Sequence, residues 1–222
     1  MNKLVSNLAQ AVADIADGST ILLGGFGTSG QPIELMQALL DTDARELTLV
    51  SNSSGNGPTG IGPLIEAGKV RKLICTFARS PNSLNPTAAM FEAHYRAGKV
   101  ELEIVPQGTL AERLRAAGAG MGPFFTPTAF GTRLAEGKET RVIDGKGYVL
   151  EQPLPADVAF IKAHLADALG NLTYRFAGRN FAPVMAMAAR LTVVQVDRIV
   201  PVGSIEPEFV MTPGIFVQRV VE

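Results

Sequence analysis

Residues 21–32 read ILLGGFGTSGQP: three aliphatic residues, four glycines within seven positions, then a proline. Gly24, Gly25, Gly27 and Gly30 leave the end of an aliphatic run with almost no side chain. Backbone amides in such a loop can approach a ligand closely, and the positive end of a following helix favours negative charge. The loop is therefore a candidate for an anion or an oxyanion. A tight strand-to-helix turn with no ligand fits the same residues. Gly25-Phe-Gly27-Thr-Ser-Gly30 matches G-x-G-x-x-G, but no acidic residue ends a clear second strand at the distance a dinucleotide site requires. The sequence also lacks Gly-Lys-Ser/Thr, which disfavours a nucleoside triphosphate loop.

Other reactive side chains are scattered. Cys75 lies in the apolar run Lys72-Leu-Ile-Cys-Thr-Phe77 and reads as a buried strand residue rather than a reactive thiol. A single cysteine excludes an internal disulfide and suits a reducing compartment. His94 and His164 have no acidic or cysteine ligands at metal-binding spacing, so no metal site is expected. His94 reads as a solvated helix residue, His164 as a structural residue at a strand end, and Asp157 and Asp167 as turn carboxylates.

The elements that must position the loop follow from periodicity. Leu4, Leu8, Ala11, Val12 and Ile15 fall at helical spacing, and Asp17-Gly18 closes that helix. Thr20–Leu23 reads as a parallel strand, aliphatic on both faces, and Pro32 opens a helix carrying Ile33, Leu35, Met36, Leu39 and Leu40. A strand at Leu47–Val50 completes a β-α-β unit with a right-handed crossover. The alternation continues with a helix at Pro63–Ala67, a strand at Val70–Phe77, a helix at Ala88–Ala97, a strand at Val100–Val105 with Glu101 and Glu103 on a solvated side, and a helix at Thr109–Ala117. From Phe124 to Leu154 the pattern becomes short β pieces, with Asp144-Gly145 as a hairpin turn. A strand at Val158–Lys162, a turn at Asp167–Asn171, a helix at Phe181–Ala189, a strand at Leu191–Val196 and a strand-like tail at Gly214–Val221 follow. The expected fold is α/β: a mostly parallel sheet flanked by helices, with a small β-rich insertion at about 124–154. Residues 1–222 then form a single domain, a size ordinary for one core.

Apolar residues make up 46% of the chain and charged ones only 18%, so the surface is somewhat poor in charge and a partner would suit it. A net charge of −1 with no basic run argues against nucleic acid or an anionic membrane as ligand. No run has the length of a membrane span, and the first twenty residues lack a secretory apolar core, so a cytoplasmic location is expected.

Asp17-Gly18, two residues, Ile21-Leu22-Leu23, then Gly24-Gly25-Phe26, three residues, Gly30, one residue and Pro32 resembles the signature of the first subunit of family I coenzyme A transferases, the 3-oxoacid CoA-transferases. Pro106-Gln-Gly-Thr-Leu-Ala-Glu-Arg-Leu-Arg115 with Gly118-Ala-Gly120 and Phe125-Thr-Pro-Thr128 is similar to the same subunit. So is Gly170-Asn-Leu-Thr-Tyr174 with Ala177-Gly-Arg-Asn-Phe181. Three separated blocks in one order cover nearly the whole chain.

The resemblance implies a ping-pong transfer of CoA from a thioester to a carboxylate through a glutamyl-CoA intermediate, with coenzyme A thioester as substrate and no resident cofactor. It also implies that the nucleophilic glutamate sits in a Ser-Glu-Asn-Gly context on a second subunit, and Glu-Asn-Gly is absent here. The expected assembly is a heteromer with a β subunit carrying that glutamate, as α2β2. By the resemblance, Asn52 falls on the asparagine that donates to the oxyanion; read alone, it is a turn residue capping its own backbone. Relatives commonly carry two asparagines there, and this chain has Asn52-Ser53. Gly24, Gly25, Phe26 and Gly27 would shape the wall beside the thioester with their amides as further donors, and Gln107 and Gly108 are site or interface residues. Glu112 and Arg115 read as a helix-face pair.

The stretch from Phe77 to Ser80, with Gly55-Asn-Gly57, looks more like 3-oxoadipate transferase subunits than acetoacetate ones. A distal carboxylate needs a cation, and Arg79, following a strand, has a guanidinium suited to a bidentate contact. The plainer readings of Arg79 are a solvated loop residue or one on a CoA phosphate. Acetoacetate or acetate is the alternative acceptor. A sugar-phosphate isomerase would need an acid/base group beside the loop, where Glu34 is the nearest carboxylate; a non-enzymatic CoA-binding module is the other alternative.

Overall fold

Thr20–Leu23 (β1) lies near the middle of a sheet whose strands run in the order β11-β10-β8-β1-β2-β3-β4. The neighbours are Leu47–Ser53 (β2), Val70–Phe77 (β3) and Glu101–Ile104 (β4) on one side. On the other lie Ala156–Asp167 (β8), Ala189–Val200 (β10) and Arg219–Val221 (β11). Every pairing along this path is parallel, and only Leu172–Thr173 (β9) adds antiparallel to β8. This is a computed structural model describing residues 2–55, 58–78 and 86–222, the side chains of 86–90 excepted.

A parallel strand with helices on both faces must be apolar throughout, and Ile21, Leu22 and Leu23 are all buried. Alternate residues serve different cores. Ile21, Leu23, Leu49 and Leu73 meet Leu8–Val12 (α1), Ile33–Leu40 (α2), Ile61–Glu66 (α3) and Pro86–Arg96 (α4). Leu22, Val50, Ile74 and Ile161 meet Gln107–Gly118 (α5) and Ala182–Ala188 (α6). Each fully buried Leu or Ile contributes roughly 1.5–3 kcal/mol, so this double seam fixes the register of β1 firmly.

The expected α/β architecture is observed, with differences at element ends. Leu4 is not helical: it bridges Val220 in parallel, and Asn7 starts α1 only at Leu8 by accepting the Gln10 N–H at 2.8 Å. β2 runs on to Ser53, which makes Asn52 a strand residue rather than a turn. β8 and β10 extend well past β1, staying in register from Ala156–Ala189 to Asp167–Val200. The tail is a 3-10 turn at Gly214–Phe216 before β11. Glu103 is not simply solvated: it accepts from Lys72 at 2.6 Å and Arg113 at 2.9 Å.

Phe124–Thr126 (β5), Thr140–Ile143 (β6) and Lys146–Glu151 (β7) form a separate antiparallel sheet in the order β5-β7-β6. Asp144 and Gly145 join its hairpin with positive φ of 50° and 76°, the geometry of a two-residue primed turn. This sheet is fastened to α5 through Arg113, whose Nε donates to the Gln152 carbonyl at 2.9 Å and lies 4.0 Å from the buried Glu151 carboxylate, which also accepts from Lys138 at 2.6 Å.

Candidate active site

β1 hands over to the glycine loop at the carboxyl edge of the sheet, where ligand crevices form in open α/β folds. The Gly24 N–H continues the ladder to the Phe160 carbonyl at 2.9 Å. Phe26 and Ser29 exchange backbone hydrogen bonds of 3.0 and 3.1 Å around Gly27-Thr28, which leaves Phe26 about half exposed at the tip. Gln31 Nε2 donates to the Gly27 carbonyl from within the loop.

The glycines are needed for packing as well as conformation. Gly25 has a φ of 126°, and a Cβ there would lie 2.6 Å from Gln31 Cγ. At Gly30, φ 70°, a Cβ would overlap the Gly178 carbonyl oxygen and come within 3.0 Å of Gly178 Cα. The loop thus rests against residues 176–180, and Asn180 fastens it there. Asn180 Oδ1 accepts the Gly25 N–H at 3.1 Å, and its Nδ2 donates to the Ser29 carbonyl at 3.1 Å.

Asn52 is 5% exposed. Its Oδ1 accepts from Gln107 Nε2 at 2.8 Å, and Gln107 is the first residue of α5. Asn52 shares a tight crevice of about 10 Å³ with Gly24, Gly25, Gly27 and Gln31, and Met36 and Ile61 also line it. Among the described residues, no ionisable side chain lines it. With Oδ1 occupied by Gln107, the Nδ2 end of Asn52 is the donor left for a ligand. The amides of Gly24, Gly25 and Phe26 are all used within the chain, so these residues act on the crevice through shape and not through N–H donation.

The residues singled out by sequence separate into groups. Gly24, Gly25, Gly27 and Asn52 meet in the crevice, with Gln107 behind Asn52. Phe26 stands at the loop tip, and Gly108 occupies the first turn of α5 with open space where a Cβ would be. Arg79 and the Asn56-Gly57 pair lie outside the described residues. Glu34 is held by Gln195 Nε2 at 2.9 Å and does not line the crevice.

Cys75 is buried, and burial pushes its thiol up to about 12. His164 Nδ1 lies 3.0 Å from Asp197, and Lys162 Nζ lies 3.1 Å from the same carboxylate. The hydrogen bond with His164, together with Lys162, holds Asp197 below the ordinary carboxylate value against the opposing effect of burial. Asp157 accepts the Thr20 N–H at 2.9 Å, and Asp167 accepts those of Leu169 and Asn171 at 3.0 Å each. Glu112 and Arg115 pair on the exposed face of α5 at 3.0 Å. Among the described residues, no cluster of His, Cys, Asp or Glu could hold a metal ion, and no helix is long and apolar enough to cross a membrane.

Sequence reasoning missed Asn180 and Gln31 as parts of the site. Asn180 stands inside the block Ala177-Gly-Arg-Asn-Phe181, but nothing local shows that its amide reaches a loop about 150 residues earlier.

A parallel α/β sheet with a glycine loop and an uncharged donor crevice at its carboxyl edge defines the class of site. Residues 5–222 match the family model for coenzyme A transferase, and the chain belongs to that family. A 3-oxoadipate CoA-transferase subunit from Pseudomonas putida is 58% identical over 221 residues, spanning 100% of this chain and 94% of that protein. The 3-oxoadipate CoA-transferase subunit from Acinetobacter baylyi is 54% identical over 221 residues, 100% of this chain and 95% of that one. Among solved structures, an acyl-CoA transferase from Escherichia coli O157:H7 in a thioester complex with CoA shares the fold, with a TM-score of 0.83 at 24% identity. It spans 99% of this chain and 47% of that one.

Proposed function

We propose that this chain is the α subunit of a heteromeric 3-oxoadipate CoA-transferase that takes CoA from succinyl-CoA, and that residues 1–222 act as a single subunit domain. The observation that carries the reading is the crevice beside the glycine loop: it offers a buried amide donor at Asn52 and no carboxylate among the described residues. The identity with two 3-oxoadipate CoA-transferase subunits supports the choice of acceptor.

In this reading a glutamate of the partner chain attacks the acyl carbon of the thioester, and Asn52 Nδ2 donates to the oxygen on which charge develops. The C–S bond breaks to give an acyl-glutamyl anhydride and CoA thiolate. The thiolate then attacks the glutamyl carbonyl, releasing the first carboxylate and leaving glutamyl-CoA. The 3-oxoacid carboxylate repeats the sequence in reverse and leaves as its CoA thioester. Gly24, Gly25, Phe26 and Gly27 form a wall low enough for the glutamate and the thioester to meet, and Gly108 leaves room beside Gln107. Coenzyme A is a substrate throughout, and no resident cofactor takes part. The assembly is α2β2 in the cytoplasm.

Arg79 is the proposed reader of the distal carboxylate of 3-oxoadipate. The test is a steady-state panel on the complex reconstituted with its β subunit, comparing 3-oxoadipate, acetoacetate and acetate as acceptors. Preference for 3-oxoadipate, lost when Arg79→Ala raises its KM selectively, supports the reading. A preference for acetoacetate or acetate assigns the chain to another 3-oxoacid or acetate transferase.

A further inference from the structure

The donor at Asn52 works only if the correct end of its amide faces the crevice. A carboxamide presents NH2 on one side and a carbonyl oxygen on the other, and a half-turn would aim lone pairs at the developing oxyanion. Asn52 is too buried for solvent to set this choice. The one hydrogen bond to its side chain among the described residues comes from Gln107 Nε2, at 2.8 Å to Oδ1. We infer that Gln107 is a positioning residue: by occupying Asn52 Oδ1 it turns Nδ2 toward the reacting carbonyl. This rests on the role proposed above for Asn52.

The support of Gln107 is built to hold one orientation. It is the first residue of α5, set by Pro106 at φ −55° and ψ 141°, and no side chain caps that helix end. α5 is tied by Arg113 to Glu103 at 2.9 Å and to the Gln152 carbonyl at 2.9 Å. The donor therefore stands on a braced element while its acceptor stands on β2.

The test uses the complete complex of both subunits, with wild-type CoA transfer as reference, and Gln107→Ala, Gln107→Glu, Asn52→Ala and the double variant Asn52→Ala/Gln107→Ala. Gln107→Ala is expected to lower kcat on the order of tenfold with KM little changed, a fraction of what complete loss of an oxyanion donor costs. Gln107→Glu is expected to be worse at neutral pH: its carboxylate can only accept, so it draws Nδ2 away from the crevice. Its activity should recover toward acid, as the protonated carboxyl regains a donor. In the Asn52→Ala background Gln107→Ala should cost nothing further, since residues acting as a unit are not additive.

Unchanged kcat in both Gln107 variants, a change confined to KM, or a full further loss in the Asn52→Ala background would overturn the inference. If Gln107→Glu fails to assemble, the alanine cycle alone decides. A wild-type complex without CoA transfer would instead overturn the reading of the site, and this inference with it.

Discussion

Asn180 grips the glycine loop at both ends of its turn, accepting the Gly25 N–H at 3.1 Å and donating to the Ser29 carbonyl at 3.1 Å. The crevice wall is thus set by a residue 155 positions later in the chain. Removing the amide strands the part-buried Gly25 N–H, at a cost of about 1–3 kcal/mol, while the exposed Ser29 carbonyl keeps the Phe26 N–H. Asn180→Ala should lower the thermal midpoint by several degrees and speed amide exchange at Gly25. Asn180→Asp, which keeps the acceptor, should retain Gly25 protection but not the Ser29 contact. Unaltered exchange at Gly25 in the alanine variant would show that the loop holds itself.

The glycines should differ sharply in tolerance. A Cβ at Gly30 runs into the backbone of Gly178, which cannot swing aside, whereas one at Gly27 meets nothing within 4 Å. Gly27→Ala should cost only its left-handed backbone, about 1–2 kcal/mol, while Gly30→Ala should yield little folded protein. Equal thermal midpoints for the two variants would contradict the packing of the loop on residues 176–180.

Asn52→Ala should lower kcat of the assembled enzyme by about 10²–10³ with little effect on KM, the usual cost of one oxyanion donor. Asn52→Asp should be at least as damaging, because a carboxylate would face the developing negative charge. Initial-rate measurements against acyl-CoA read both.

Three carboxylates make the fold acid-sensitive. Asp14 is held low by its hydrogen bond with Arg219, opposed by burial, and Asp197 by His164 and Lys162, also against burial. Burial pushes Glu103 up, but the bonds from Lys72 and Arg113 outweigh it and leave its pKa lowered from 4.5. A folded-state pKa below the unfolded one means that the unfolded chain takes up protons first as pH falls. The stability from these groups is therefore fully present above the ordinary carboxylate range and is lost as pH drops through the lowered values. The thermal midpoint should be flat from pH 7 to about 5 and fall below about 4, with a shallower acid limb in Glu103→Gln.

Much of this architecture was readable from local pattern because local pattern causes it. β1 and β3 have the bounds their aliphatic runs predict, and Asp144-Gly145 turns where two-residue hairpin chemistry requires. The glycine loop was visible because glycine's freedom is a property of the residue itself. What stayed hidden depends on pairs distant in sequence. The Leu4–Val220 bridge overrides a helical spacing, Glu103 finds Arg113 across a strand-to-helix turn, and Gln107 meets Asn52 only once β2 and α5 are placed. Periodicity reports which face a residue occupies, not which partner waits there.

In the proposed enzyme this chain supplies the walls and a donor while its partner supplies the nucleophile. Intact-mass measurement of both chains, after the complex is incubated with acyl-CoA and no acceptor, tests it most directly. A CoA-sized mass increase on the partner chain alone, reversed by adding the 3-oxoacid, is the predicted result. CoA attached to a glutamate of this chain, or CoA transfer by this chain in the partner's absence, would contradict it.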